Sequence, residues 1–482
     1  MRRFTPSPEA IKLILEGQIA LSEVEQQGIR IDKPYLDRVL DETAVSIKRL
    51  KDALLADPVY KKQWRRRFGD KSNVASPAQI AEVVFRDLGY KSKVKTASGE
   101  RESASEKALE GIDIPLVKNY LEMQHLIKGR DTFLVGIQRE TVQHADGDYW
   151  VHPSYHLNTV TTFRSSCSDP NFMNQPSRNP VLAEMVRRCY VPRRGHQIVE
   201  IDFGQIEVRI PCAYSFDPNL MAYCFDPKKD MHKEVACQIF KLEPEQVEKS
   251  VRHVAKNQKV FPMFYGSYYG QTAPAIWESI DRLNLKLKDS SKTVREHLTE
   301  QGITELGECG YDEEPEPGTF THHIKEIEDH FWKVRFPVHA QWKRDWLDAY
   351  RRNGGCQFKN GFIMVGSHKK NDITSYCIQS DAFGCTLWSL PRIVNRLRRY
   401  KMRSRVIGEV HDSIQFDVWP DELDIVIDMA VSVMTEEIKQ WAIWLNVPLP
   451  VEVEVCPVDG SWFEKKVWTR QNGKWVPPEG NK

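Results

Sequence analysis

The stretch VIGEVHDSIQFDV, Val406 to Val418, most narrows what this chain can fold into. Read with the two-residue period of a strand, Val406, Gly408, Val410, Ile414, Phe416 and Val418 fall on one face, which predicts a half-buried hairpin. Asp412 falls on the same face. Two readings follow: His411 and Asp412 form the turn, with the carboxylate in solvent, or Asp412 binds a divalent cation that compensates its charge beside apolar walls.

A second carboxylate has a similar setting. QIVEIDFGQIEVRI (Gln197 to Ile210) starts as a strand and becomes helical after Asp202, leaving Asp202 at the carboxyl end of a strand. Two such carboxylates can hold two Mg²⁺ ions ~3.5–4 Å apart for phosphoryl transfer. The competing reading makes Asp202 a helix cap.

RHVAKNQKVFPMFYGSYYGQ (Arg252 to Gln271) adds cations. Arg252, Lys256 and Lys259 at i, i+4 and i+7 share one helical stripe with no acid between Glu248 and Glu278, an unneutralised surface suited to a triphosphate. Phe261, Phe264, Tyr265, Tyr268 and Tyr269 supply rings for a base to stack on, or core packing.

Composition sets the frame. At 482 residues two to four subdomains are expected, and a net charge of +1 leaves local clusters to speak for any polyanionic partner. Lys61–Arg67, Arg187–Arg194 and Arg392–Arg405 are such clusters, each read first as a solvated helix face. The ten cysteines show neither C-x-x-C pairs nor zinc-type spacing, which fits a reducing cytosol. No run of ~18 apolar residues is available to cross a membrane, and the N-terminus lacks a signal-peptide core.

Along the chain, helices are expected from Pro8 to about Leu55, broken at Gly28 to Asp32, and from Pro115 to about Glu140. Lys91–Ser105 reads as a polar tip. Short strands and turns fill Tyr149–Ile201. Helices follow at Gln205–Tyr223, Met231–Phe240, Glu245 to about Tyr265 and His323–Tyr350, with strands at Cys356–Val365 and a last strand at Val451–Cys456. Asp281–Thr319, with its acidic patch Asp312, Glu313, Glu314 and Glu316, reads as a surface insertion.

Taken together, these segments resemble family A DNA polymerases, with the closest similarity to phage-type members. DFGQIEVR resembles the first palm motif, RHVAKNQKVFPMFYG the nucleotide-binding fingers helix, and EVHDS the second palm motif. TVTTFRSSCSDPNFMNQP, DMHKEVA and YCIQSDA match three further signatures, all six in the family's order.

The resemblance implies an α+β multidomain right-hand fold: a palm of antiparallel sheet plus helices, mostly helical fingers and a helical thumb. Its divisions would be a palm entry helix (1–30), thumb (31–145), first palm part (146–215), fingers (216–355, with the insertion at about 281–319) and second palm part (356–482). It implies that Asp202 and Asp412, with the carbonyl of Phe203, hold two Mg²⁺ ions, Mn²⁺ being a substitute. Arg252, Lys256 and His232 would meet the triphosphate, with Lys256 counted among the catalytic residues. Gln205, Glu207, Phe261 and Tyr265 would surround the nucleotide, Tyr265 bordering the new base pair and Glu207 closing the 2′ space. Arg164, Asn171, Gln379 and His411 would contact primer-template DNA. The expected activity is deoxynucleotide addition to a primer, in phage genome replication and in the cytoplasm of a bacterial host. A chain starting almost at the thumb leaves no room for a proofreading domain, so a separate exonuclease or a processivity factor is an expected partner.

Three departures from the family pattern stand out. Ser413 follows His411-Asp412 where an acid is usual. Ser375 stands where Asn is common. The Lys256-to-Phe261 spacing is one residue long, which turns Phe261 roughly 100° off the cationic stripe in an ideal helix unless a π-bulge before Pro262 restores it. The rivals are a single-subunit RNA polymerase, against which Glu207 argues, and a catalytically silent DNA-binding protein, which would be expected to have lost Asp202, Asp412 or Lys256.

Overall fold

The computed structural model describes residues 4–91, 105–109, 111–177, 179–226, 228–307, 309–310 and 313–478. The polar 91–105 stretch and Asp312 lie almost wholly outside these residues.

At its centre is a six-stranded antiparallel sheet of β1 (Gln197–Phe203), β2 (Arg405–Val410), β3 (Ser413–Val418), β4 (Val451–Val455), β5 (Lys466–Gln471) and β6 (Lys474–Val476), in the order β2-β3-β1-β4-β5-β6. Register fixes the chemistry: Asp202 on β1 lies opposite Ser413 of β3 and Glu452 of β4. The sequence pattern did not reveal the β5–β6 hairpin, whose exposed charged residues give little apolar alternation.

The expected half-buried hairpin is instead buried on both faces. Every residue of β3 is buried, Gln415 and Asp417 included, and a bulge between Val406 and Gly408 breaks the strict alternation of β2. Near-continuous burial is what a strand inside a covered sheet requires.

The helix Lys370–Arg399 is covered along most of its length. The helix Pro8–Gln27 crosses it so closely that a β-carbon at Gly17 would lie 2.3 Å from Leu387 Cδ1. That first helix is capped by Ser7, whose Oγ accepts from Ala10 N–H at 3.1 Å, and ends at Gly28 with φ 64°. Ile29–Ile31 then pairs with Tyr149–Val151 before Lys33–Ala56, so the expected break at 28–32 is a strand.

The apolar residues gather into three cores. One lies under the sheet, one is built mainly from Val208 to Phe336, and one from Leu50 to Met123. The segment 281–319 is more than a surface insertion: Leu285, Val294, Leu298 and Ile303 are buried in the second core, and Val294–Glu300 is a helix with a Thr293/Glu296 capping box. Polar turn residues hid this because its anchors are few and widely spaced.

Two further elements differ from expectation. His323–Tyr350 is two helices, Phe320–His330 with a π-turn at Phe331–Arg335, then Pro337–Asn353, divided where Pro337 cannot donate a backbone bond. Tyr149–Ile201 also holds a helix, Pro180–Arg187, started by Asn179 and Pro180. All ten cysteines are free thiols. Among the described residues no helix is long and apolar enough to cross a membrane.

Candidate active site

Asp202 and Asp412 meet at one end of the sheet. The β2–β3 connection is a two-residue turn of His411, with φ 60°, and Asp412, so the turn reading of these residues is right about the backbone. The solvated carboxylate is not: the Asp412 side chain is only 12% exposed and its Oδ1 is buried without a hydrogen bond. Phe203 N–H donates to the Asp412 carbonyl at 3.1 Å, locking the turn to the end of β1.

Asp202 caps no helix. The helix Ile206–Ser215 begins at Gln205, an exposed residue with φ 55° and no side-chain cap bond. The chain can turn so sharply there because Gly204 donates to Pro450 O at 2.8 Å, and a β-carbon at 204 would stand 3.2 Å from that oxygen. Arg209 fixes the same corner from below, giving hydrogen bonds to the carbonyls of Gly204 (3.0 Å), Cys224 (2.9 Å) and Pro448 (2.6 Å).

Burial, and then Asp412, Glu200 and Glu207, push the Asp202 carboxyl up to about 8, with Lys465 opposing. Burial raises Asp412 too, against the pull of Arg164, whose Nη2 is 3.8 Å from Asp412 Oδ1. Glu207, in the first turn of its helix, is raised by burial and by Asp412. Glu409, three residues before Asp412, is pushed up to about 8 by burial despite accepting from Ser165 Oγ at 2.6 Å. Acids whose charged forms are this disfavoured call for a compensating cation.

The cationic helix is more neutralised than its local sequence suggests. Arg252 Nε donates to Asp230 Oδ2 at 2.6 Å, and Asp230 also caps the helix Met231–Phe240 by accepting from the amides of His232 and Lys233. Lys259 leaves the stripe altogether: it is fully buried, with Nζ 2.5 Å from Glu328 Oε2 and bonded to Thr272. Both acids come from distant segments. Only Lys256 of the three pairs with no carboxylate among the described residues; its ammonium lies 5.0 Å above the Phe261 ring.

A π-turn at Lys256–Val260 makes that contact, giving the register shift that the long Lys256-to-Phe261 spacing required. Phe261 also meets His232 edge-on at 5.4 Å. His232 is 1% exposed, with neither ring nitrogen hydrogen-bonded, and burial followed by Arg252 and Lys256 pushes its pKa down to about 4, so it is neutral near pH 7.

Tyr265 closes this side of the site at the end of the helix Phe261–Phe264, its hydroxyl raised by burial and by Glu207. Gln379 is half-buried on the helix Lys370–Arg399, with Ser375 buried one turn earlier. His411 is exposed at the turn. Asn171 is not drawn into the carboxylate group; it caps the turn Phe172–Asn174, accepting from Asn174 N–H at 3.1 Å. Sequence reasoning missed Arg209, Asp230, Ser165 and Glu409. All four lie within the quoted motifs DFGQIEVR, DMHKEVA, TVTTFRSSCSDPNFMNQP and EVHDS, but their partners are distant in sequence or are main-chain groups that a motif does not display.

The two carboxylates that the structure brings together, Asp202 and Asp412, are the oxygen donors available at this end of the sheet. No group of three or more His, Cys, Asp or Glu side chains is placed to hold a metal among the described residues. Hard oxygen donors that leave positions for water and phosphate suit Mg²⁺.

The family model for DNA polymerase family A matches residues 49–300, just over half of the chain. The chain belongs to DNA polymerase family A. Thermostable DNA polymerase I of Thermus thermophilus is 30% identical over 255 residues, 52% of this chain and 28% of that one. DNA polymerase I of Bacillus subtilis is 24% identical over 455 residues, 93% of this chain and 45% of that one. The chain thus spans less than half the length of these curated relatives.

Among solved structures, the POL domain of Pol1 from M. smegmatis, in complex with DNA primer-template and dNTP, superimposes with a TM-score of 0.71 at 20% identity, covering 94% of this chain and 70% of that chain. The fold of this family A chain is accordingly the right-hand polymerase fold. Enzymes of the family are metal-dependent in general.

Proposed function

We propose that this chain is a template-directed DNA polymerase that joins a deoxynucleotide to a primer 3′ end with release of pyrophosphate. One observation carries the reading: the buried, hydrogen-bond-free Oδ1 of Asp412 stands at the end of the strand pair that bears Asp202, in a protein whose Lys256 ammonium lies over the Phe261 ring without a carboxylate partner among the described residues. Family membership supports the same reaction.

Asp202, Asp412 and the Phe203 carbonyl would hold the metal ions. Two Mg²⁺ ions, or Mn²⁺ in their place, supply acidity at the primer hydroxyl and neutralise charge on the phosphates when bound. Lys256 and Arg252 would receive the triphosphate, with Asp230 aiming the guanidinium through two hydrogen bonds. His232, uncharged, contributes its ring to the Phe261 wall and its nitrogens as neutral partners. Glu207 would fill the 2′ space and so reject ribose. Arg164, Gln379 and His411 would contact the primer-template, and Gln205 and Tyr265 would frame the new pair.

The separate cores Leu50–Met123 and, mainly, Val208–Phe336 support a thumb within 31–145 and fingers near 216–355, while Leu36, Leu40, Leu134, Ile137, Leu347 and Tyr350 pack with the sheet read as palm. Replication of a phage genome, beside an exonuclease or processivity partner, is the finer reading, and motif resemblance is what supports it.

Primer extension with Mg²⁺ tests the activity. Deoxynucleotides should extend the primer far better than ribonucleotides. A preference for ribonucleotides, or no extension with either, contradicts the proposal.

A further inference from the structure

Asp381, on the helix Lys370–Arg399, is an acid with no exposure to water in a stretch that is otherwise core: Cys377, Ile378, Ala382, Phe383 and Cys385 around it are all buried. Burial pushes its carboxyl up to about 7, opposed by the hydrogen bonds that it accepts. An apolar side chain would fill this turn without the cost of desolvating a carboxylate. What the acid adds is a set of directed bonds.

Three segments meet on it. Asn360 N–H donates to Asp381 Oδ1 at 2.8 Å, and Lys359 N–H donates to Oδ2 at 3.2 Å. Tyr214 Oη also donates to Oδ2. Asn360 tightens the junction: its Nδ2 donates to Ser380 O at 3.0 Å and to Ser380 Oγ at 2.9 Å, and its Oδ1 accepts from Phe362 N–H at 3.1 Å. Tyr214, Asn360 and Ser380 are all buried, so water competes for none of these bonds.

Each segment leads to a residue already placed at the site. Tyr214 lies two turns after Glu207, on the same face of the helix Ile206–Ser215. The loop that carries Asn360 presents Phe362 and Phe358 to the ring of Phe163, which stacks on the first at 4.5 Å and meets the second edge-on at 6.2 Å. Phe163 has φ 60°, a backbone conformation that its surroundings must hold, and the next residue, Arg164, comes within 3.8 Å of Asp412 Oδ1. Gln379 precedes Asp381 by two positions, on the other side of the same helix, so an anchor at 381 fixes the rotation that aims Gln379.

We propose that Asp381 is a positioning residue for the polymerase reaction: by tying Tyr214 and the amides of Lys359 and Asn360 to the helix Lys370–Arg399, it holds Glu207, Arg164 and Gln379 in one arrangement around the primer end and the incoming nucleotide. This rests on the polymerase reading of the site.

Two variants of the full chain test it. Asp381→Asn keeps the shape and one acceptor oxygen but turns an amide NH₂ toward the remaining donors; Tyr214→Phe removes one bond and leaves the packing. On protein shown to be folded by its melt, each should lower kcat for primer extension about tenfold with the KM for deoxynucleotide within about twofold of wild type, as expected of misplaced groups around a reacting centre. Ribonucleotide incorporation relative to deoxynucleotide should rise about threefold. The decisive comparison is a double-variant cycle. With Arg164→Ala already present, Asp381→Asn should lower neither kcat nor primer-template affinity further by more than about twofold, and with Glu207→Ala present it should leave the nucleotide ratio unchanged. Equal fractional losses in both backgrounds, or a lowered melting temperature with wild-type kcat and ratio, would make Asp381 a structural acid only and overturn the proposal. Should Asp381→Asn not fold, the same cycle with Tyr214→Phe decides. A wild type that binds primer-template but extends it with no nucleotide contradicts the polymerase reading instead, and the affinity cycle still reports on Asp381; a wild type that does neither removes both.

Discussion

Lys256 and Phe261 stand five positions apart, yet the Lys256 ammonium lies 5.0 Å above the Phe261 ring. A regular α-helix would point them ~140° apart. The π-turn between them absorbs one residue, and the same turn sends Lys259 inward to Glu328. Deleting Gln258 should therefore convert the turn to α-helix, leave Lys256 and Phe261 at i, i+4, and keep primer extension within about tenfold of wild type. Inserting an alanine after Gln258 should displace Phe261 and cost about 10²-fold, the scale of a misplaced reacting group. Steady-state extension rates for the pair check this, and the reverse order would count against the π-turn as the source of the alignment.

The buried Lys259–Glu328 pair should matter to the stability of the second core. Lys259→Met leaves Glu328, whose side chain is 12% exposed, without its partner, and should destabilise by about 3 kcal/mol. Adding Glu328→Leu should recover most of that loss. Chemical denaturation of both variants measures it; a double variant as unstable as the single one would mean the pair contributes more than it costs to desolvate.

Much of this was legible in the chain, and the gaps have physical causes. Asp202, Asp412 and Lys256 could be found because each sits in a short local pattern. Lys259 was misjudged because its partner Glu328 lies sixty-nine residues away, a separation that no helical wheel displays. The hairpin Val406–Val418 was read as half-buried because Glu409, Gln415 and Asp417 look solvent-facing. In the fold they are buried with polar partners: Ser165, Ser413, and Arg193 with His196. The helix Val294–Glu300 was obscured by its polar flanks. The register of Phe261 was the one place where a break from the family spacing pointed to its own remedy.

Metal-free protein should lose stability as pH rises. Asp202 is pushed up to about 8 when folded, against about 3.9 for a free aspartate, so between these values the folded state binds more protons than the unfolded one. By linkage, unfolding free energy then falls with rising pH from about 4 to about 8. Mg²⁺ replaces the proton as compensating charge, so it should raise the melting temperature more at pH 8 than at pH 6. Thermal melts with and without chelator read both effects; a Mg²⁺ shift that is larger at pH 6 would contradict the assignment.

Glu207→Ala should open the 2′ space while removing a carboxylate whose charged form is disfavoured by burial. Ribonucleotide incorporation relative to deoxynucleotide should rise about 10- to 100-fold, the range for one contact in a discriminating pocket. Competition assays with matched nucleotides give the ratio. An unchanged ratio would remove Glu207 from the 2′ site.

The central claim is that Asp412 acts as a charged metal ligand in phosphoryl transfer, and Asp412→Asn tests it most directly because the amide matches the carboxylate in shape. Single-turnover primer extension with Mg²⁺, on protein shown to be folded by its melt, should fall at least about 10²-fold, the scale of losing one electrostatic stabiliser. Extension at the wild-type rate by the folded variant would contradict the account.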